Sequence, residues 1–232
     1  MSTARPVPPC TLRDTVDAVL FDFDGTLAEL TIDFGEMRQR VQDLLADFGV
    51  PLSALSARYV LELVDEGAAH LAANGGEGKR FHDRAHAAIE AVELTAASRG
   101  RLVAGAREAL ERLAEAGVPL AIVTRNCRRA VTALLDRENS AFALTRDDVT
   151  HVKPDPRHLD EALARLNCTG ERALMVGDHP MDMTTAGALG MRAIGVLTGN
   201  STAASLSEAG ALLVLPSVAD LPAALDNGGH VF

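Results

Sequence analysis

The chain has 232 residues, of which 47% are hydrophobic and 23% charged, and its formal net charge is −10. That length fits one large domain or a domain with a smaller insert, and no apolar run approaches the roughly 20 residues of a membrane span. The acidic balance argues against nucleic acid as a partner, and any anionic ligand must be drawn in by a local cluster of cations.

The first ten residues, MSTARPVPPC, lack the apolar stretch of a signal peptide and read as a loose tail. Next comes AVLFDF (18–23), short and almost wholly apolar, the pattern of a parallel strand buried on both faces. It runs into Asp22 and Asp24, two carboxylates one residue apart. On a strand's period of two they point to the same side, where two anions repel. Such a pair suits a metal, a shared proton, or a division of labour between nucleophile and acid. An EF-hand is excluded because Gly25 comes too early in the loop and Asp33 stands where the bidentate Glu belongs.

Residues 30 to 100 contain no strand pattern. FGEMRQRVQDLLADFG places Phe34, Met37, Val41, Leu44, Leu45 and Phe48 at helical spacing. SALSARYVLELVDEG and RFHDRAHAAIEAVELTAAS also read as helices, with NGGEG as the break between them. Lys79, His82 and His86 share one side of the last helix and form a basic face able to meet an anionic substrate. Asp33 and Arg38, which follow the paired acids closely in sequence, are further candidates to border a substrate.

The alternation of strand and helix resumes after residue 100. AGAREALERLAEAG (104–117) carries Ala106, Leu110 and Leu113 on one stripe and stops at Gly117. PLAIVT (119–124) is a strand ending at Thr124, Arg125 and Asn126. HVKPDP places Lys153 before a helix, 155–167, with Asp155 as its cap and Pro156 at its first position. The strands ALMVG (173–177), RAIGVL (192–197) and ALLVL (211–215) follow, the first leading into Asp178 and Asp182. The pattern predicts an α/β core around a doubly wound parallel sheet, residues 1–29 and 101–232, with a helical cap inserted at 30–100. Cys10, Cys127 and Cys168 form no CxxC and no paired framework, so they read as free thiols in a reducing, cytoplasmic setting. Cys127 has no base beside it and reads as a packing thiol, and His179 as a loop residue.

Ligands of doubly wound sheets sit at the carboxyl ends of the strands. Those ends supply four carboxylates, a hydroxyl and an ammonium. The set DxDGT at 22–26, Thr124, Lys153 and GDxxxD at 177–182, in this order and spacing, resembles the haloacid dehalogenase-like hydrolase superfamily. It is most similar to the helical-cap, phosphoglycolate phosphatase-like branch, and the stretch GDHPMDMTTAGALGMRAIGVLTG is also typical of that family.

The resemblance implies a Rossmann-like core and a Mg²⁺-dependent phosphatase acting on a small-molecule phosphate ester through an aspartyl phosphate. It assigns Asp22 as nucleophile, and Asp24 as the acid for the leaving alkoxide and then the base for water, with a raised pKa. The metal would be held by the Asp22 carboxylate, the Asp24 backbone carbonyl and Asp178, with Asp182 behind them orienting waters or Lys153. Thr124 and the amides of Arg125 and Asn126 suit phosphate oxygens. Lys153 neutralises the phosphate dianion, and Gly25 lets the backbone approach it.

A phosphoglucomutase-type phosphotransferase keeps the same acids, so it stays open. Asp24 argues against a 2-haloacid dehalogenase, and unbroken motifs argue against a regulatory binding protein on the same scaffold. Monomer and dimer are both left open.

Overall fold

The computed structural model describes residues 15–135 and 141–226. Cys10 and the expected N-terminal tail lie outside the described residues. The chain divides into two compact units, one built from the segments flanking residues 30–100 and the other Leu30–Gly100.

The elements in chain order are β1 (Ala18–Phe21), β2 (Ala28–Glu29), α1 (Phe34–Asp47), α2 (Val60–Ala73), α3 (Gly78–Ala97), β3 (Arg101–Leu102), α4 (Ala106–Glu115), β4 (Leu120–Val123), α5 (Arg128–Thr132) and β5 (Phe142–Leu144). There follow α6 (Arg157–Leu166), β6 (Ala173–Gly177), α7 (Pro180–Gly187), β7 (Arg192–Val196), α8 (Ala203–Glu208), β8 (Leu213–Leu215) and α9 (Leu221–Asp226).

Six strands form one parallel sheet in the order β5-β4-β1-β6-β7-β8. Alternate residues of a strand face opposite sides, and here both sides are buried: Val19, Leu20 and Phe21 of β1 and Leu174, Met175 and Val176 of β6 are all fully covered. Leu20, Ala121, Val123, Leu144 and Met175 form one core with Leu159 and Leu163 of α6 and Met183 of α7. Truncating such a side chain to Ala typically costs about 2–5 kcal/mol. The chain steps from β1 to β4 and β5 on one side, then crosses to β6, β7 and β8 on the other. That reversal places the switch point of a doubly wound sheet between β1 and its neighbours β4 and β6.

β5 is absent from the sequence expectations; it is an edge strand of three residues paired with β4. Also unexpected is the antiparallel pair β2–β3, which brings the segments before residue 30 and after residue 100 side by side and adds an ion pair between Glu29 and Arg101. Helix α6 begins one residue later than expected. Pro156 takes the capping position with helical dihedrals, and the Asp155 carboxylate accepts the Arg157 N–H at 3.0 Å.

Leu30–Gly100 is a three-helix unit. Met37, Val41 and Leu45 of α1 are buried, as are Leu61, Leu63, Val64 and Leu71 of α2, and Phe81, Ala85, Ile89 and Val92 of α3. Phe34, expected on the apolar stripe, is instead 58% exposed at the first position of α1. Asp33 caps that helix through the Glu36 N–H at 2.7 Å. The Arg38 guanidinium donates to the carbonyl of Arg58 at 2.9 Å. Both candidate substrate neighbours thus have structural duties in this unit. Helix α2 starts at Val60 rather than near Ser53, because Leu52–Ala54 forms a 3-10 turn.

Candidate active site

The strands at the switch point, β4, β1 and β6, end side by side, and each hands the chain to a functional loop. Asp22 follows β1 and keeps its N–H in the sheet, donating to the Val176 carbonyl at 2.9 Å. Gly25 then turns the chain with φ +82°, and a Cβ there would lie 2.5 Å from the Asp178 carboxylate. Neither the dihedral nor the space suits any other residue. The Phe23 carbonyl accepts N–H groups from Leu27 and Ala28, both at 2.9 Å, which closes the loop.

Asp178 follows β6, and Asp182 sits in the first turn of α7, whose cap is His179. The sequence reading of His179 as a plain loop residue is thus refined: its ring accepts the Met181 N–H at 3.0 Å, and its own N–H reaches Asp182 Oδ2 at 3.2 Å.

Lys153 joins these elements. Its Nζ lies 2.6 Å from Asp182 Oδ1 and 2.9 Å from Asp22 Oδ1, and the residue is 1% exposed. Burial alone would lower its pKa, but the attraction of Asp182 and then Asp22 outweighs it, so the ammonium titrates above its usual range. Asp22, Asp178 and Asp182 each offer a carboxylate oxygen, all within 4.8 Å of one another. Burial, followed by the charges of Asp22, Asp182 and Asp24, pushes Asp178 up to about 8. Burial likewise raises Asp182, to about 6, against the pull of Lys153. One ammonium does not balance these acids. An all-oxygen donor set short of positive charge suits a hard divalent cation. Asp182 has both oxygens engaged, one on Lys153 and one on the His179 N–H, which leaves Asp22 and Asp178 better placed as direct ligands.

Thr124, Arg125 and Asn126 form the loop after β4. The Thr124 hydroxyl donates to Asn126 Oδ1 at 2.8 Å, and the Asn126 N–H is turned back on Thr124 Oγ1 at 3.1 Å rather than outward. The Arg125 guanidinium donates to the Lys153 carbonyl, so it steadies the lysine's backbone. Cys127 is buried and caps the short α5 through the Ala130 N–H at 3.4 Å, in line with a packing thiol.

Three residues at the site were not singled out from the sequence. His158, fully buried, accepts the Lys153 N–H on Nδ1 at 3.1 Å, so Nε2 carries the proton and donates to the Leu144 carbonyl at 3.2 Å. Burial and then the Lys153 charge hold its pKa down at about 3, so the ring is neutral. Gly199, after β7, lies so close to Asp178 that a Cβ would fall 1.8 Å from Oδ2. Thr198 beside it donates to the Gly25 carbonyl at 2.6 Å, which ties this loop to the turn after β1.

The family model described as haloacid dehalogenase-like hydrolase matches residues 19–196. The chain is 31% identical over 223 residues to pyrophosphatase PpaX of Bacillus velezensis, covering 89% of this chain and 94% of that protein. It is 28% identical over 225 residues to phosphoglycolate phosphatase 1 of Pseudomonas aeruginosa, covering 92% and 81%. A haloacid dehalogenase-family hydrolase from Deinococcus radiodurans, solved with bound phosphate and sodium, superposes with a TM-score of 0.61 at 28% identity over 93% of this chain and 97% of that one. The chain therefore belongs to the haloacid dehalogenase-like hydrolase family.

Proposed function

We propose that the chain is a Mg²⁺-dependent phosphatase that hydrolyses a small phosphorylated metabolite through an aspartyl phosphate on Asp22. The observation that carries this reading is the buried Lys153 ammonium bridging Asp22 and Asp182, beside a third carboxylate at the sheet's switch point. Asp22 attacks phosphorus, and the bond to the leaving oxygen breaks as Asp24 gives that oxygen a proton. Asp24 then takes a proton from the water that attacks the aspartyl phosphate, releasing inorganic phosphate and regenerating Asp22. Lys153 offsets charge on the phosphoryl oxygens and holds Asp22 in place. Mg²⁺, when held by the Asp22 carboxylate, the Asp24 carbonyl and Asp178, supplies the positive charge that lets an anionic nucleophile approach a dianion.

Relatives named for phosphoglycolate and for pyrophosphate define the first compounds to assay. In this reading the Leu30–Gly100 unit is a cap that selects the ester. Its support is the place of the insert in the chain, opening five residues after Gly25. The decisive experiment measures phosphate release from an aryl phosphate, phosphoglycolate and pyrophosphate, with Mg²⁺ and with chelator. Release should require Mg²⁺ and vanish in Asp22→Asn, whose amide is nearly isosteric but cannot attack phosphorus. Wild-type turnover by folded Asp22→Asn would defeat the mechanism.

A further inference from the structure

A second cluster of metal-ligand side chains lies within the three-helix unit. His82 and His86 are one turn apart on α3 and so share a face. Their rings lie 4.2 Å apart between centroids. Asp65 projects from the neighbouring helix α2, with Oδ1 3.7 Å from His82 Nε2. Asp65, His82 and His86 each offer one ligand atom, all within 4.8 Å of one another.

We propose that these three residues form a binding site for a divalent transition ion of the zinc class, separate from the carboxylate site of the core. The donor chemistry favours it. Two imidazole nitrogens and one carboxylate suit zinc, cobalt, nickel or copper, whereas magnesium prefers oxygen alone. The spacing favours it too. A 3.7 Å gap is too long for a direct hydrogen bond, yet ligand atoms around one tetrahedral zinc stand roughly 3.3 Å apart. The widest gap closes by side-chain rotation, which is open to a face where Asp65 is exposed and both rings are half-buried.

The surroundings of His82 add a third argument. Its Nε2 faces Asp65, while its Nδ1 lies 3.8 Å from Asp83 Oδ1. A ligating histidine commonly gives its other N–H to a carboxylate, which fixes the ring and raises its basicity; at 3.8 Å Asp83 is a neighbour that side-chain rotation would bring into that role, not yet a hydrogen-bond partner. Asp83 is itself held by Lys79 Nζ at 2.6 Å. The same arrangement counts against the anion-binding face expected from the sequence, because Lys79 is engaged and carboxylates flank His82 on both sides. A bound ion would fasten α2 to α3, and binding only the packed form would stabilise this unit.

The test uses the full chain, stripped of metal and dialysed into millimolar Mg²⁺ so that the core carboxylates are supplied. Zn²⁺ binding is measured by competition with a chromophoric chelator, and Co²⁺ is added separately to read ligand type from its visible spectrum. One Zn²⁺ per chain should bind. His82→Ala and His86→Ala should each weaken it at least about tenfold, Asp65→Ala should weaken it less, and Asp178→Asn should leave it unchanged. An equal affinity in the His82→Ala/His86→Ala double variant, or loss of the ion only in Asp178→Asn, overturns the proposal. A readout on the wild-type chain avoids dependence on variant folding: Zn²⁺ should protect His82 and His86 from carbethoxylation, read by peptide mass spectrometry. Unchanged labelling would equally overturn it.

Discussion

Lys153 is the residue on which most of the site's electrostatics converge, yet its position depends on a neighbour with no charge. His158 accepts the Lys153 N–H and donates its own Nε2–H to the Leu144 carbonyl, so a neutral, single-tautomer ring anchors the lysine's backbone to β5. The sign of its pH dependence follows from its lowered pKa. The unfolded chain takes up a proton near pH 6.5, whereas the folded chain resists until about 3. Stability from this group is therefore full above 6.5 and drains as pH falls toward 3, amounting to about 2 kcal/mol lost at pH 5. His158→Asn keeps an acceptor near Nδ1 but does not titrate. It should be less stable than wild type at pH 7 and show a flatter acid limb, by about that amount, in urea titrations at pH 7, 6 and 5. An acid limb as steep as the wild type's would mean that His158 does not report this burial. The variant should also lower kcat while sparing Mg²⁺ affinity, because it touches Lys153 and none of the carboxylates.

At the scale of elements, α7 unites a helix start with the charge network. Its first turn places Asp182 three residues after the His179 cap, so one carboxylate both closes a capping box and faces Lys153. Asp182→Ala removes the cap interaction, worth about 1 kcal/mol, and strips a buried ammonium of its nearer partner, which typically costs about 3–5 kcal/mol. Asp182→Asn retains an oxygen for the His179 N–H but gives up the charge and the oxygen that faces Lys153, where its NH2 would stand donor to donor against the ammonium. Urea unfolding should therefore rank wild type above Asp182→Asn above Asp182→Ala. Equal loss in the two variants would mean that the helix cap contributes nothing. The acids were legible in the sequence because GD, an acid four residues on and an apolar strand before them are all local signals, whereas helix α7 itself was not among the expected elements. Strands β1, β4, β6 and β7 were legible for the same reason as the acids, and the three-residue β8 because it lies in the five-residue apolar run ALLVL. β5 was not, since three apolar residues fit the end of a helix as well as an edge strand. The two-residue β2 and β3 carry no period at all. The late start of α2 has a second cause besides the 3-10 turn before it: the carboxylate of Glu66, in α2 itself, accepts the N–H groups of Ser56 at 2.7 Å and Ala57 at 3.1 Å, which holds that stretch out of the helix. His158 and Gly199 were silent for a further reason. A histidine on an apolar helix face and a glycine in a loop acquire meaning only when the fold sets them against Lys153 and Asp178.

For the molecule as a whole, the site is a place where the fold gives up stability for function. A chain with net charge −10 gathers three carboxylates around one lysine at the centre of its sheet. Asp178 is 9% exposed and lies beside other acids, and it accepts a long 3.4 Å contact from the Thr26 hydroxyl. With its pKa pushed up to about 8, Asp178 must take up a proton to fold at pH 7 without Mg²⁺, a cost that Asp178→Asn escapes, so at that pH the variant should be more stable than wild type in the absence of Mg²⁺, by about 1–2 kcal/mol. The order should reverse when Mg²⁺ is present. A ligand bound only by the folded state stabilises by about 2.7 kcal/mol at a concentration of about 100 times Kd, and Asp178→Asn forfeits that gain with its ligand oxygen. Thermal unfolding of both proteins, with and without Mg²⁺, gives four midpoints that settle the matter. The expected pattern is a variant above wild type without the ion, a wild type that rises with Mg²⁺, a variant that does not, and no phosphate release from the variant. A wild type indifferent to Mg²⁺ would mean that this carboxylate cluster does not take up the cation, whatever its crowding suggests. A variant less stable than wild type in both conditions would mean that the Thr26 contact and local packing outweigh the repulsion among the acids.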